Sequence, residues 1–238
     1  MIILAFDATA KIASVAVSDD EKNLALYNID NGLTQSELLL PMAESALKAL
    51  KLSFSDIGLY ATSVGPGSFT GVRIGTALIK GMAFSKNIPC VSVSTLEALA
   101  ENLSGIHGII VPCMDARRNQ VYNAIFRSCE NGMTRITEDR AISIDDLAKE
   151  LKEFAGEDIY IVGDGYGVAR DGLIKAGLTP KVTPSALILE NASSVAKIAY
   201  KKYKNGEFTD DSSLLPTYLR LPQAERERLE KENTSNKQ

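Results

Sequence analysis

The chain has 238 residues, 45% of them hydrophobic and 24% charged, with a formal net charge of −4. That length allows one large domain or two small ones, and the mix excludes a disordered, collagen-like or membrane-spanning chain. There is neither a basic bulk nor a dense basic stripe, so a role on RNA would need a partner. The absence of Trp argues against a base-stacking platform.

The opening MIILAFDATA is apolar, lacks a basic flank and is interrupted by Asp7, so it reads as a buried first strand rather than a signal peptide. Segments 12–18 and 24–30 complete a meander of three strands, with the polar run Asp19 to Asn23 as a hairpin loop. A helix follows over 34–51, with Thr34 as N-cap and Glu37 three residues on as a capping box. Pro41 inside it implies a kink or a later start. Residues 57–64 read as a strand, 68–86 as a helix after Gly65-Pro66-Gly67, 90–93 as a short strand, and a helix capped by Ser94 or Thr95 runs to Asn102. Strands alternating with helices imply parallel pairing through crossovers.

The second half partly repeats this order. Strands are expected at 108–114, 120–127 and 133–142, with Asn131-Gly132 as a hairpin turn. A helix capped by Ser143, a strand at 159–162, a helix to about Lys175, a longer helix at 186–205 and an extended stretch at 214–221 follow. The tail after Pro222 is nearly all charged and polar, which reads as a frayed helix or disorder. Two such halves imply an internally duplicated α/β fold of two lobes, each with a mixed sheet and helices. The expected division is residues 1–104 for the first lobe, 105–185 plus 212–222 for the second, and 223–238 for a tail. Helix 186–205 would pack back on the first lobe.

Chemistry-bearing residues are sparse. The one histidine, His107, excludes an HExxH zinc protease and reads as structural or solvent-facing. Cys90, Cys113 and Cys129 form no CxxC pair and read as reduced thiols of a cytosolic protein. No catalytic pair and no metal cluster stand out. An acid at a turn occurs twice, at Asp7 and Asp115. In a duplicated fold the two turns would face each other across a cleft, as in ATPases where neighbouring glycines let backbone N–H groups approach phosphate. Thr9 and Arg117 stand where those glycines would be, and Gly163 and Gly165 would form an adenosine-side loop. The alternative is that Asp7 merely caps a turn.

The run from Val64 to Gly75, VGPGSFTGVRIG, invites a phosphate-loop reading, but it lacks the Walker lysine. Gly71 and Gly75 share a helix face, and an interior glycine costs roughly 1 kcal/mol relative to Ala, so close approach of another helix is the expected gain. The 34–51 and 68–86 helices carry surplus apolar residues, which points to contact with another chain, unless both are buried within this one.

These segments carry a resemblance. ILAFD, QSELLLPM, GPGSFTGVRIG, MDARRNQVY, GDG and PTYLR occur in the order of the TsaB (YeaZ) family and span residues 2–220. The chain resembles that family, which is also labelled glycoprotease or peptidase M22. The resemblance implies the actin-like ATPase (ASKHA, ribonuclease H-like) fold. It implies a non-catalytic scaffold that forms a heterodimer with its paralogue TsaD, and through it meets TsaE. The reaction served is formation of the threonylcarbamoyl group on N6 of adenosine 37 in ANN-decoding tRNAs, with tRNA reached only through the complex. The implied interface lies on the two helices, at Leu38, Pro41, Met42, Ser45, Gly71, Val72, Arg73, Gly75, Thr76 and Ile79. A degenerate nucleotide cleft would involve Asp7, Thr9, Asp115, Gly163 and Gly165. No cofactor would be required, with room for ATP or ADP at the interface of the complex. A homodimer is expected when the partner is missing, and the location is expected to be cytoplasmic. Gln35 stands where the family often has His. A self-sufficient phosphotransferase or M22-type peptidase is the alternative.

Overall fold

The computed structural model describes residues 1–84, 86–130 and 132–220, so the tail expected at 223–238 and Asn131 of the expected turn lie outside the described residues. Strands β1 (Ile2–Asp7), β2 (Ala13–Asp19) and β3 (Lys22–Ile29) form the antiparallel meander. Strands β4 (Ile57–Ser63) and β5 (Cys90–Val93) add in parallel, giving the order β3-β2-β1-β4-β5. Alternation along β1 sorts its side chains. Leu4 and Phe6 face helices α1 (Gln35–Ala49) and α2 (Phe69–Ala83), while Ile3 and Ala5 face helix α6 (Ala192–Lys204). The backbone amide of Thr34 donates to the Glu37 carboxylate at 2.9 Å at the start of α1. Pro41 lies inside α1 on its exposed side, and the helix continues through it.

The second lobe repeats the plan. Its central strand β6 (Gly108–Asp115) pairs in parallel with β11 (Ile159–Val162) and antiparallel with β7 (Gln120–Asn123) and β8 (Phe126–Cys129). Strand β9 (Gly132–Arg135) pairs with β8 and β10 (Arg140–Ser143) with β7. Two strands expected at 120–127 and 133–142 are therefore four. The cause is local: β7 and β8 keep one register against β6, with Met114 opposite Tyr122 and Ile109 opposite Arg127, but the ladder breaks opposite Pro112, which has no N–H to donate. The Asn123 side-chain amide donates to the Pro112 carbonyl instead, at 2.9 Å. Ile109, Val111 and Cys113 face helices α4 (Ile144–Leu151) and α5 (Tyr166–Lys175), and Ile110 and Met114 face helix α3 (Thr95–Glu101).

Helices α3 and α6 thus lie between the two sheets. Of the stretch 212–222 expected in the second lobe, residues 221 and 222 lie outside the described residues, and 212–218 run instead over the first lobe. Leu214 is buried in the α1/α2 core, the Lys80 ammonium donates to the Ser212 and Leu214 carbonyls, and the Thr217 amide donates to Val64 O at 2.7 Å. Arg220 reaches the second lobe, where it donates to Ala116 O at 3.0 Å and to Gln120. Among the described residues no helix is long and apolar enough to cross a membrane.

Candidate functional site

The C-terminal ends of β1 and β6 meet at the cleft between the lobes, and both carry the same turn. Asp7 Oδ1 accepts from the Thr9 amide at 2.9 Å, and Asp115 Oδ1 accepts from the Arg117 amide at 2.8 Å. Each Asp thus holds the backbone two residues on, an Asx turn. The duplication expected from element order is therefore visible at the level of single hydrogen bonds.

The two acids differ in everything else. Asp7 is fully buried; Thr9 Oγ1 donates to Oδ1 and Ser63 Oγ donates to Oδ2, both at 2.6 Å. Burial raises its carboxyl above the usual range, partly offset by these donors. Asp115 is at the surface, with the Arg117 guanidinium 3.4 Å from Oδ2, and its amide donates to Asp164 Oδ1 at 2.9 Å. Partial burial pushes Asp164 up, with the Asp115 amide opposing it.

A cleft of about 420 Å³ opens between the lobes, lined among others by Thr9, Lys11, Phe69, Asp115, Arg117 and Arg220. Asp7 does not line it. Gly163 and Gly165 do not line it either, though Asp164 between them does. A side chain at Gly165 would come within 2.8 Å of the Cys113 carbonyl oxygen, and one at Gly163 would overlap the same atom. Both glycines serve the close approach of the β11–α5 turn to the β6 backbone. On the other lip Arg117, Arg118 and Asn119 take left-handed backbone angles in succession, with φ of 64°, 54° and 57°. Such residues are costly without glycine, and here the Ala116 amide bonded to Gln120 O, the Ile144 amide bonded to Asn119 O and the Arg220 clamp hold the turn.

The helix pair also departs from expectation. Gly71, Val72, Gly75, Thr76 and Ile79 are buried within this chain, as are Leu38 and Met42. A Cβ at Gly71 would overlap the Ala8 carbonyl oxygen, and one at Gly75 would lie 3.0 Å from Thr62 Oγ1. The glycines let α2 settle on the ends of β1 and β4, so the close approach they serve is to this chain's own sheet. Of the expected interface set, Pro41, Ser45 and Arg73 point outward. Arg73 has a partner of its own: its guanidinium lies 4.3 Å above the Phe69 ring and donates from Nε to Tyr218 Oη at 2.8 Å, while Phe69 stacks on Tyr218 at 4.1 Å. The outward face further includes Leu40, Glu44, Ala77 and Gly81, with Ile74, Leu78 and Met82 half-buried. Helical spacing of 73, 77 and 81 opposite the glycine face could have located it.

Sequence reasoning also passed over Ser63, Asp164 and Glu190. Glu190 precedes α6, is only 2% exposed, and neither carboxyl oxygen has a hydrogen-bond partner. Burial, reinforced by Asp7, pushes its carboxyl up to about 8. No periodicity singles it out.

The profile of the family described as TsaD: tRNA N6-adenosine threonylcarbamoyltransferase matches residues 34–228. The Bacillus subtilis tRNA threonylcarbamoyladenosine biosynthesis protein TsaB is 31% identical over 235 residues, covering 94% of this chain and 96% of that one. The chain belongs to the TsaB family. The Escherichia coli K12 TsaB is 30% identical, over 92% of this chain and 95% of its own. YeaZ from Pseudomonas aeruginosa superposes with a TM-score of 0.77 at 24% identity, covering 92% of this chain and 99% of that one, so the fold is shared throughout. The first sheet's order β3-β2-β1-β4-β5, and in the second the pairing of β6 with antiparallel β7 and β8 and with parallel β11, make the mixed α/β architecture of two lobes that the sequence implied.

Proposed function

We propose that the chain is a non-catalytic scaffold subunit in tRNA threonylcarbamoyladenosine biosynthesis, which binds TsaD and through it TsaE. The observation that carries the non-catalytic part is the closure of Asp7. A carboxylate that takes part in proton transfer has to come within hydrogen-bond reach of the reacting group, directly or through one water. Asp7 is 0% exposed, and three donors from Thr9 and Ser63 occupy its oxygens. Arg117 pairs with the second acid, Asp115. The cleft keeps space for a small anionic ligand such as ATP or ADP, which would bind without being turned over by this chain.

The scaffold part is supported by family membership and by the outward face of α1 and α2. Leu40, Pro41 and Ala77 are exposed there, Ile74, Leu78 and Met82 are half-buried, and Glu44 and Lys48 lie at the edge. An apolar centre with a polar rim suits a partner helix pair. The test is size-exclusion chromatography of the chain mixed with TsaD, beside an ATP-turnover assay of the chain alone. Co-elution lost in Ala77→Arg, with an unchanged melting temperature and no ATP turnover, is the expected result. ATP hydrolysis by the pure chain that disappears in Asp7→Ala would overturn the non-catalytic part. Co-elution unaffected by Ala77→Arg would overturn the assigned face.

A further inference from the structure

The two lobes are joined by the α3–β6 connection and by the segment that runs from 187 into α6. The second crossing is tied on both sides. The Gly163 amide of the second lobe donates to Ile188 O. The Asn102 side-chain amide donates to Leu187 O at 3.1 Å and to Leu189 O at 2.9 Å. The Ala192 amide donates to Ser14 Oγ of β2 at 2.8 Å. In the middle of this tether sits Glu190, buried, with both oxygens unpartnered. A buried carboxyl left in this state needs a physical reason, because as an anion it would lose its hydration with no protein cation in exchange.

Its neighbours in charge deepen the problem. Asp7 faces it from the end of β1 and Asp164 from the turn after β11; both are acids. Arg117 acts on Asp164 from the outer side of the cleft, and the groups that tie the tether from α3 and β2, Asn102 and Ser14, are neutral. Among the described residues no three His, Cys, Asp or Glu side chains come together to hold a metal ion.

We propose that Glu190 is a proton-controlled latch on the lobe junction: neutral, it lets the 187–191 tether seat on both lobes, and ionised, it draws the tether outward toward water and loosens them. An anion here is repelled by Asp7 and Asp164, with Glu190's own backbone amide as the one opposing group among the described residues. It can be hydrated only if the tether shifts, and that shift strains the Gly163–Ile188 and Ala192–Ser14 bonds. The neutral carboxyl pays neither penalty. The latch concerns this chain alone and does not depend on the scaffold reading.

The experiment is a carboxyl-carbon NMR titration of the full chain, with Glu190→Gln for assignment, beside pulsed hydrogen exchange at the Gly163 and Ala192 amides. The expected result is a glutamate midpoint near 8 that vanishes in the variant. Protection at both amides, corrected for intrinsic exchange, should fall about tenfold or more between about pH 7 and about pH 9.5 in the native chain, and stay level in Glu190→Gln. A midpoint in the ordinary glutamate range overturns the latch. So does loss of protection that persists in the variant, or a titration near 8 with no loss of protection. If Glu190→Gln does not fold, the native chain's midpoint and protection profile decide the matter by themselves.

Discussion

Gly71→Ala and Gly81→Ala lie ten residues apart on one helix, and the structure gives them opposite signs. Both sit inside α2, where replacing Gly by Ala is worth up to about 1 kcal/mol from backbone entropy alone. At Gly81 nothing lies within 4 Å of the added Cβ, so that gain is realised. The expected rise in melting temperature is about 2–4 °C for a domain of this size. At Gly71 the new carbon falls on the Ala8 carbonyl oxygen, a backbone atom at the end of β1 that no rotamer change can move. Helix α2 must slide off the sheet, at the overpacking cost of about 1–3 kcal/mol or more. Because the blocking atom is backbone the upper end of that cost applies, about 3 kcal/mol; set against a propensity gain of about 1 kcal/mol, a net loss of roughly 2 kcal/mol remains, a fall of about 4–8 °C. Thermal melting by circular dichroism, with urea midpoints alongside, reads both. A Gly71→Ala chain that melts at or above the parent would refute the close approach of α2 to β1. A Gly81→Ala chain that melts lower would show that this face is already filled.

Gly81→Leu should leave the fold intact yet weaken TsaD binding by about tenfold or more, measured by calorimetry, if the outward α2 face is the interface. Asp7→Ala should cost about 1–3 kcal/mol in urea melts, because the Thr9 and Ser63 donors lose their acceptor in a dry site. Cys113, whose buried thiol is pushed up to about 12, should react with a thiol reagent only on unfolding, after the partly exposed Cys129. Glu190 makes stability fall with pH. Its carboxyl is raised in the folded chain from 4.5 to about 8, so the folded state binds the extra proton, and up to about 5 kcal/mol present below pH 4.5 is lost as pH rises through about 8. Urea midpoints of Glu190→Gln should be nearly flat over that range, and a parallel decline in both chains would contradict the assignment.

Much of the fold was legible because local signals and global packing agree. Thr34 with Glu37, Ser94 and Ser143 announce helix starts, and each is an N-cap in the structure. The strands of the first lobe were readable from their apolar runs and polar turns. The second lobe misled at 120–127, where the run carries no Gly or Pro of its own but the break comes from Pro112 on the facing strand. A property of one strand's partner is invisible in its own sequence. The path of 212–220 failed likewise, since Leu214 and Thr217 bind to a surface that exists only once α2 and β4 have formed.

The candidate site divides along the same line. Asp7 and Asp115 were found because each acid stands at the end of an apolar strand, a pattern local enough to read. What each does depends on residues far away in the chain. Ser63 closes Asp7 from 56 residues on, and Asp164 receives the Asp115 amide from 49 residues on. The glycines show the inverse error. Spacing of 71 and 75 fixed a common face correctly, but spacing cannot say whether a face meets its own sheet or another chain. A Cβ built at each position can, and it meets Ala8 and Thr62. The side of α2 that remains for a partner is therefore the opposite one, through Arg73, Ala77 and Gly81. An interior glycine pointing at solvent, with nothing near it, has no packing reason within this chain. A second helix laid across Gly81 would supply that reason, and the sign of Gly81→Leu on TsaD binding separates that explanation from simple tolerance.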